Sequence, residues 1–569
     1  MDRRVIWAIL LMMVIAIAPA FFIKRPATTP RGAPGPAATS TDSTPGAAPA
    51  EPGTAPAVQP VPGPAPQPAA AAEDTVVVSS PLYTYGVSTR GARMVQATLS
   101  RYRTMARGHT GLVQLLPPND DLLGLTLVAE RDTVDLRQWQ FTPSTASLQV
   151  SERTPLRLTA EQAAYAVELE YTFAPDQYRV DVSGRVRGVG PNGALLLVGL
   201  GSGLAQTEAD SVDNKRQMAV VTHRGSTERT SFADLKPGEP RVLSGPFDWA
   251  AIKSKYFVAA LLSYDTAGPG ISGATAVAPP TAGEHPSSAT VQLSIPIGPA
   301  GTFGYSLYAG PMEYERLRRL GHDFDDVNPY GWPGFRTLIR FFAVPTRWLL
   351  LWMHESLGLA YGLVLVVFGI LVRVILWPLN QKAMRASMQM QAIQPLMKDL
   401  QDRHKDDPQR LQQEMFKLYK EHNVNPFGGC WPMLLPMPVL FALFFVLQNS
   451  IELRGTSFLW LPDLSRPDPL YIIPLVMGIS MFALTKVGQL GMEPNPQMKM
   501  MLYFMPVMMT VLFVNFPSGL NLYYAVSNIA SVPQQWMLAR ERMRRNPPPS
   551  PPPAPPPAAP TGKRKKQGP

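Results

Sequence analysis

Residues that could do chemistry are scarce and scattered in this chain. Gly188-Val189-Gly190-Pro191-Asn192-Gly193 has the Gly-x-Gly-x-x-Gly spacing that cradles a pyrophosphate. Such a loop must leave a strand and open a helix, whereas here it joins two strand-like runs and reads as a turn. His354-Glu355 is not followed by a histidine at the spacing a zinc protease needs. There is no Gly-x-x-x-x-Gly-Lys-Ser/Thr loop and no Gly-x-Ser-x-Gly elbow, and the seven histidines are dispersed. The single cysteine, Cys430, excludes an intrachain disulfide and a cysteine-based zinc site. Neither ATP-driven work nor bond cleavage has residues to carry it, and no cofactor or metal is expected.

The residue that stands out is a cation. Phe368-Gly369-Ile370-Leu371-Val372-Arg373-Val374-Ile375-Leu376-Trp377-Pro378-Leu379 is fit for lipid except for Arg373. A guanidinium at bilayer depth costs from about 2.5 to about 17 kcal/mol, depending on how it is measured. In a span from Leu357 to Leu379, Arg373 lies about 9 Å from the inner end at the rise of an α-helix. One reading is an arginine that snorkels to that interface. The other is a hydrated concavity open on the inner side, because none of the apolar runs holds an acidic partner. Thr485, Asn521, Tyr523, Tyr524, Ser527 and Asn528 could line such a space or serve as hydrogen-bonding glue between helices. A wet, positive, half-depth groove would carry a polar, often acidic, segment part-way across lipid. The Met-rich run Met498, Met500, Met501, Met505, Met508 and Met509 offers either an adaptable apolar surface for a client or lipid-facing filler.

The elements that must position these residues follow from composition. Hydrophobic residues make up 46% and charged ones 17% of 569 residues, with a formal net charge of +10, a balance that suits a chain part buried in lipid. Residues 1–24 combine Arg3 and Arg4 with an apolar run, and read as an uncleaved anchor in preference to a signal peptide ending at Ala18-Pro19-Ala20. Residues 25–73 are a Pro/Ala-rich linker without the means to bury a core. From Asp74 to about residue 330, short β-rich runs such as 75–78, 165–171, 178–182, 256–262 and 290–295 predict a sandwich, followed by a short helix at 314–320. Residues 331–356 suit an amphipathic helix in the membrane interface, kinked near Pro345, or a core helix of the β domain.

Five lipid-grade runs then follow, at about 357–379, 431–451, 470–487, 500–516 and 518–538. With the anchor they make six spans. Lysine and arginine crowd the 380–429 loop and the tail after residue 540, while the 452–469 loop has only Arg454 and Arg466. Both termini and the 380–430 hairpin are therefore expected in the cytoplasm and residues 25–356 in the periplasm. Within the hairpin, Met384, Met388, Ala392, Leu396 and Leu400 face Leu411, Met415, Leu418 and His422 across Asp406-Asp407-Pro408, with a bend at Pro395; the stripe packs internally or receives variable partners. The fold class is thus a membrane protein, an α-helical bundle of six transmembrane helices with a five-helix core and an inserted all-β periplasmic sandwich domain.

Five stretches carry a family resemblance. Asn425-Pro426-Phe427-Gly428-Gly429-Cys430-Trp431-Pro432-Met433-Leu434-Leu435-Pro436-Met437-Pro438 resembles the signature entering the third span of the YidC membrane protein insertases. Phe516-Pro517-Ser518-Gly519-Leu520-Asn521-Leu522-Tyr523-Tyr524-Ala525-Val526-Ser527-Asn528 is similar to their last hairpin, and Val372-Arg373 before Trp377-Pro378-Leu379 to their second span. Tyr308-Ala309-Gly310-Pro311 and Tyr330-Gly331-Trp332 match the junction between their periplasmic domain and the membrane. The resemblance covers about 308–540 strongly and the β domain weakly.

The resemblance implies an energy-independent insertase and chaperone of the bacterial inner membrane, not an enzyme, acting alone or beside the Sec translocon, with a β-supersandwich outside. It maps the groove to Arg373, Thr485, Tyr523, Tyr524 and Asn528, and client contact to Met437, Pro438, Met505 and Met509. Thr485 stands where the family has a groove glutamine, and Asn515 where an aromatic is expected. Implied partners are nascent membrane proteins, lipid, the Sec translocon and the ribosome, with no small-molecule substrate. The basic Pro-rich tail, 541–569, suits ribosomal RNA or anionic lipid, and equally a topology signal. A solute transporter would favour inverted repeats and paired intramembrane charges, which the sequence lacks. A structural assembly protein would place the function in the β domain instead.

Overall fold

The computed structural model describes residues 74–130, 132–263, 270–331, 335–405, 407–422, 437–492 and 496–545. The expected anchor, linker and basic tail, and most of the Asn425–Pro438 stretch, lie outside these residues.

Alternation of apolar and polar residues builds the β domain. In Tyr165–Phe173, Val167, Leu169, Tyr171 and Phe173 are buried while Glu168 and Glu170 face outward. A nine-stranded sheet runs in the order Thr227–Ser231, Ala219–His223, Trp249–Lys253, Phe257–Leu262, Thr302–Pro311, Arg179–Arg187, Tyr165–Phe173, Thr154–Gln162 and Thr142–Pro143. Six-stranded and five-stranded sheets complete the domain, which shares one continuous core. The expected strands are present, and Gly188 and Gly193 turn at positive φ between the strands Arg179–Arg187 and Ala194–Gly199.

Trp249–Lys253 and Phe257–Leu262 are buried along their whole length. Their second face is covered by the segment that follows the sheet, in which Phe324 meets Trp249 edge-on at 5.1 Å and Tyr308 at 5.6 Å. This puts Lys253 wholly inside, donating from Nζ to Asn328 Oδ1 at 2.9 Å. Burial, and then the charge of Arg229, holds the Lys253 ammonium well below its usual pKa, with Asp213 opposing.

Short helices α1 (Ser211–Gln217) and α2 (Tyr314–Arg319) belong to this domain. The helical part comprises α3 (Arg336–Leu357), α4 (Tyr361–Ala392), α5 (Gln394–Arg403), α6 (Pro408–Glu421), α7 (Met437–Asn449), α8 (Ile472–Gly488), α9 (Pro496–Phe513) and α10 (Ser518–Arg545). Helix α3 is the expected amphipathic helix. It runs through Pro345 unbroken, buries Ile339, Ala343, Leu350 and Met353, and exposes Phe335, Leu338, Phe341, Trp348 and Trp352. Among the described residues one helix, Tyr361–Lys382, has the length and apolarity to cross a membrane, and three shorter apolar helices accompany it. In the hairpin the first helix is continuous with the membrane run as far as Ala392, and the break falls at Ile393, just before Pro395, because proline removes a helical donor. Of the expected stripe Leu418 is buried, beside Tyr419 reaching Met397 Sδ, whereas Leu396 is exposed and Ile393 is buried in its stead.

The β domain is fastened to the helices by one short stretch of chain. Glu452 lies in the turn Ile451–Leu453, two residues before Arg454. Its carboxylate accepts two hydrogen bonds from Arg347 Nη2 of α3, at 2.7 and 2.8 Å, while Arg347 Nη1 donates to Tyr330 Oη at 2.6 Å and the guanidinium lies over the Tyr314 ring. Arg454 turns the other way. Its Nε donates to both oxygens of Glu208 at 2.9 and 3.0 Å, and its terminal nitrogens donate to the carbonyls of Arg103 and Thr207. The side chains of Arg347 and Arg454 are each 5% exposed. At the start of α3, Arg340 adds ion pairs with Asp323 and Asp325, both at 3.2 Å.

Two outcomes follow. Arg454→Ala, which strands the Glu208 carboxylate, lowers the stability of the detergent-solubilised protein by about 3–5 kcal/mol, and Arg454→Met with Glu208→Leu recovers most of it, as read by thermal unfolding. The native state disfavours a charged Lys253, so the unfolded chain binds more protons below the lysine's ordinary pKa. Stability should rise as pH is raised from about 7 towards about 10, and Lys253→Met should flatten that rise.

Candidate functional site

Helix α10 is the axis of the helical unit: it packs on α4, α8 and α7, while α9 packs on α8. Small residues let the helices approach. A Cβ on Gly369 of α4 would meet Val526 Cγ1 at 3.2 Å and Ser527 Oγ at 3.4 Å on α10. A Cβ on Gly478 of α8 would lie 2.0 Å from Thr510 Oγ1 on α9. Polar ties reinforce the packing. Asn528 Nδ2 donates to Ser480 Oγ at 3.1 Å, Gln534 Nε2 to the Trp377 carbonyl at 3.0 Å, and Arg542 Nη1 to the carbonyls of Gly488 and Leu490 at the end of α8. Loop carbonyls of Leu464 and Arg466 accept the first N–H groups of α10.

Arg373 is partly exposed on α4. Among the described residues no carboxylate lies within ion-pair distance of it and none of its donors finds a hydrogen bond; the titratable groups it faces are the phenols of Tyr523 and Tyr524 on α10. Thus three of the expected site residues come together. Tyr523 is buried and Tyr524 partly so. Asn528 is buried and spends its amide on α8. Thr485 does not join them through its hydroxyl, which donates to the Met481 carbonyl of its own helix at 2.8 Å. A short β-branched alcohol in a helix finds the carbonyl one turn back before it reaches a neighbour. Met437 and Pro438 open α7, and Met505 and Met509 lie on α9; all four are partly exposed.

Spacing in the sequence does not disclose a chain of rings beside these residues. Phe368 of α4 lies 5.9 Å from Tyr523, Tyr523 5.9 Å from Tyr524, Tyr524 5.1 Å from Phe513 of α9, Phe513 4.9 Å from Phe516, and Phe516 5.5 Å from Phe444 of α7. Edge-on and tilted aromatic pairs of this kind hold helices together beyond the area they bury. The rings stand between Arg373 and the β-domain end of the unit, since Phe368 precedes Arg373 by five residues on α4 and Phe516 precedes α10.

The description "60Kd inner membrane protein" matches residues 352–546 and "YidC periplasmic domain" matches residues 75–349. The membrane protein insertase YidC of Chlorobaculum tepidum is 31% identical over 491 residues, covering 81% of this chain and 81% of that protein. That of Oleidesulfovibrio alaskensis is 33% identical over 481 residues, covering 82% and 86%. A solved structure of an active YidC insertase is 17% identical, covers 82% of this chain and 95% of that one, and superposes with a TM-score of 0.33. A β domain of the periplasmic kind joined to a helical, lipid-suited unit defines an inner-membrane protein. The chain belongs to the YidC family of membrane protein insertases, which are not enzymes.

The tight α8–α9 approach is testable. Gly478→Ala should destabilise the solubilised protein by about 1–3 kcal/mol through overpacking, and adding Thr510→Ala should restore part of the loss in a thermal-unfolding assay.

Proposed function

We propose that this chain inserts membrane proteins into the bacterial inner membrane, and helps them fold and assemble, through a hydrated, positively charged groove open to the cytoplasm and to lipid. The observation that carries the reading is Arg373: a guanidinium in an apolar helix, facing two phenols and no described carboxylate. Without a charged partner it needs water, and water reaching half-depth lowers the cost of bringing a client's polar segment there. Tyr523 and Tyr524 line the groove with Arg373, while Asn528 ties the α10 wall to α8 and Thr485 contributes bulk there. Client spans slide past Met437, Pro438, Met505 and Met509, whose flexible thioethers and small ring accept varied partners. Partition of the client's apolar span into lipid drives the step, at about −0.3 to −0.6 kcal/mol per leucine-like residue near the centre. The aromatic chain from Phe368 to Phe444 closes the other end of the groove to water.

This reading has six spans, an anchor at 1–24 and the five runs of 357–540, with the linker at 25–73, the β domain at 74–330, the interfacial helix at 331–356, the hairpin at 380–430 and the tail at 541–569. Both termini are cytoplasmic and residues 25–356 periplasmic, as the lysine and arginine distribution supports. The Sec translocon and the ribosome are the expected partners, the latter through the hairpin and the basic tail.

Arg373→Ala, at wild-type abundance in proteoliposomes, should cut insertion of a client with an acidic translocated segment several-fold, and Arg373→Lys should retain most of it. Equal insertion by Arg373→Ala for every such client would remove Arg373 from the mechanism.

A further inference from the structure

The loop between α7 and α8 carries its large apolar residues where a water-facing loop would carry polar ones. Phe458 and Leu461 exchange two backbone hydrogen bonds of 2.9 Å, closing a hairpin whose two-residue tip is Leu459-Trp460. Leu459 sits at φ 55°, a position that favours glycine in such turns, and is 72% exposed. Trp460 is exposed beside it, its indole N–H directed at the Asp468 carboxylate at 3.3 Å. Leu470 and Tyr471, which lead into α8, are 59% and 54% exposed, and Tyr471 also has positive φ.

The loop's own carboxylates are turned inward. Asp463 is 3% exposed and accepts from the backbone N–H and hydroxyl of Ser465. Asp468 is 1% exposed and accepts from the N–H groups of Leu470 and Ile473. The hairpin is seated on the first turn of α4, where a Cβ on Gly362 would collide with the Phe458 ring at 2.1 Å. The outward apolar side chains are thus continuous with the exposed face of α8, where Ile472, Leu475 and Ile479 lie open. Arg466, the loop's cation outside the clamp, is partly exposed at this level.

We infer that the Leu459-Trp460 tip, together with Leu470 and Tyr471, is a lipid-embedded anchor that sits in the headgroup and upper acyl region of the leaflet nearest the β domain. A bilayer surface is the occupant that fits, because the patch extends the lipid-facing side of α8, its acidic groups are hidden, and an indole with a polar end suits the interface. Through Glu452 and Arg454 the same loop holds the β domain, so the anchor fixes the height of that domain above the bilayer. The inference rests on the reading of α8 as a membrane span.

The test uses the full chain with Cys430→Ser and single cysteines labelled with an environment-sensitive fluorophore, reconstituted in phosphatidylcholine–phosphatidylglycerol vesicles. Nitroxide lipids carry the quencher at the headgroup or deep in the acyl chain. Leu459→Cys and Leu470→Cys should be quenched several-fold more by the shallow nitroxide than by the deep one. Ile479→Cys should show the reverse. Gln162→Cys, at the end of the nine-stranded sheet remote from Pro311, should respond to neither. A label at 459 that behaves like the one at 162 overturns the anchor, as does one that is blue-shifted but unquenched, which would mean a protein covers the tip. An unquenched label at 479 would instead overturn the reading of α8 as a span.

Discussion

Glu452 and Arg454 impose the constraint on which the arrangement of the chain depends. Two opposite charges, two residues apart, point in opposite directions from one turn, and each meets its counter-ion in a place where water is scarce. A buried ion pair adds little to net stability once desolvation is counted, but a lone buried charge is expensive. The pairing therefore acts by exclusion. Any other docking of α3, of the β domain or of the α7–α8 loop leaves a guanidinium or a carboxylate bare in a poor dielectric. The ring of Tyr314 beneath Arg347 and that of Phe257 beneath Arg454 add cation–π contact to both ends of the fastening.

Arg347 and Arg373 are the same residue put to opposite uses. Arg347 has a carboxylate, a phenol oxygen and an aromatic face; burial pulls its pKa down, but the charge of Glu452 and the hydrogen bonds to Glu452 and Tyr330 outweigh that and hold it above the ordinary arginine value. Its terminal nitrogens are committed to structure. Arg373 faces phenols that are not charged at neutral pH and has its donors uncommitted among the described residues. A cation in the first state holds parts together; a cation in the second state is available to a visitor.

Much of this was legible in the sequence because the signals were strong ones. Alternation places the strands, composition places the apolar helices, and one arginine in a lipid-grade run singles out the candidate site. What escaped has a common cause: partners distant in sequence. Along the sequence Arg454 is one sparse charge in a loop, since Glu208 lies 246 residues away. Nothing local marks Lys253, because Asn328, which takes its ammonium inside, lies 75 residues further on. Thr485 escapes for the opposite reason: its position suits a shared lining, but a carbonyl four residues back takes its hydroxyl. The ring chain from Phe368 to Phe444 draws on four helices, and no spacing within any one of them announces it. The exposure of Leu396 reflects the break at Ile393, after which the helical phase restarts.

The continuity of α4 carries a mechanical consequence. Its 32 residues extend for about 48 Å at the rise of an α-helix, well beyond the hydrocarbon thickness of a bilayer. Its first turn is pinned by the Phe458 ring against Gly362, and further along it is tied to α10 by Gln534 on the Trp377 carbonyl and by the Arg385–Glu541 ion pair at 3.9 Å. A load applied at the hairpin is therefore shared between α4 and α10, and Arg373 lies on the stretch bracketed by the Phe458 and Gln534 fastenings.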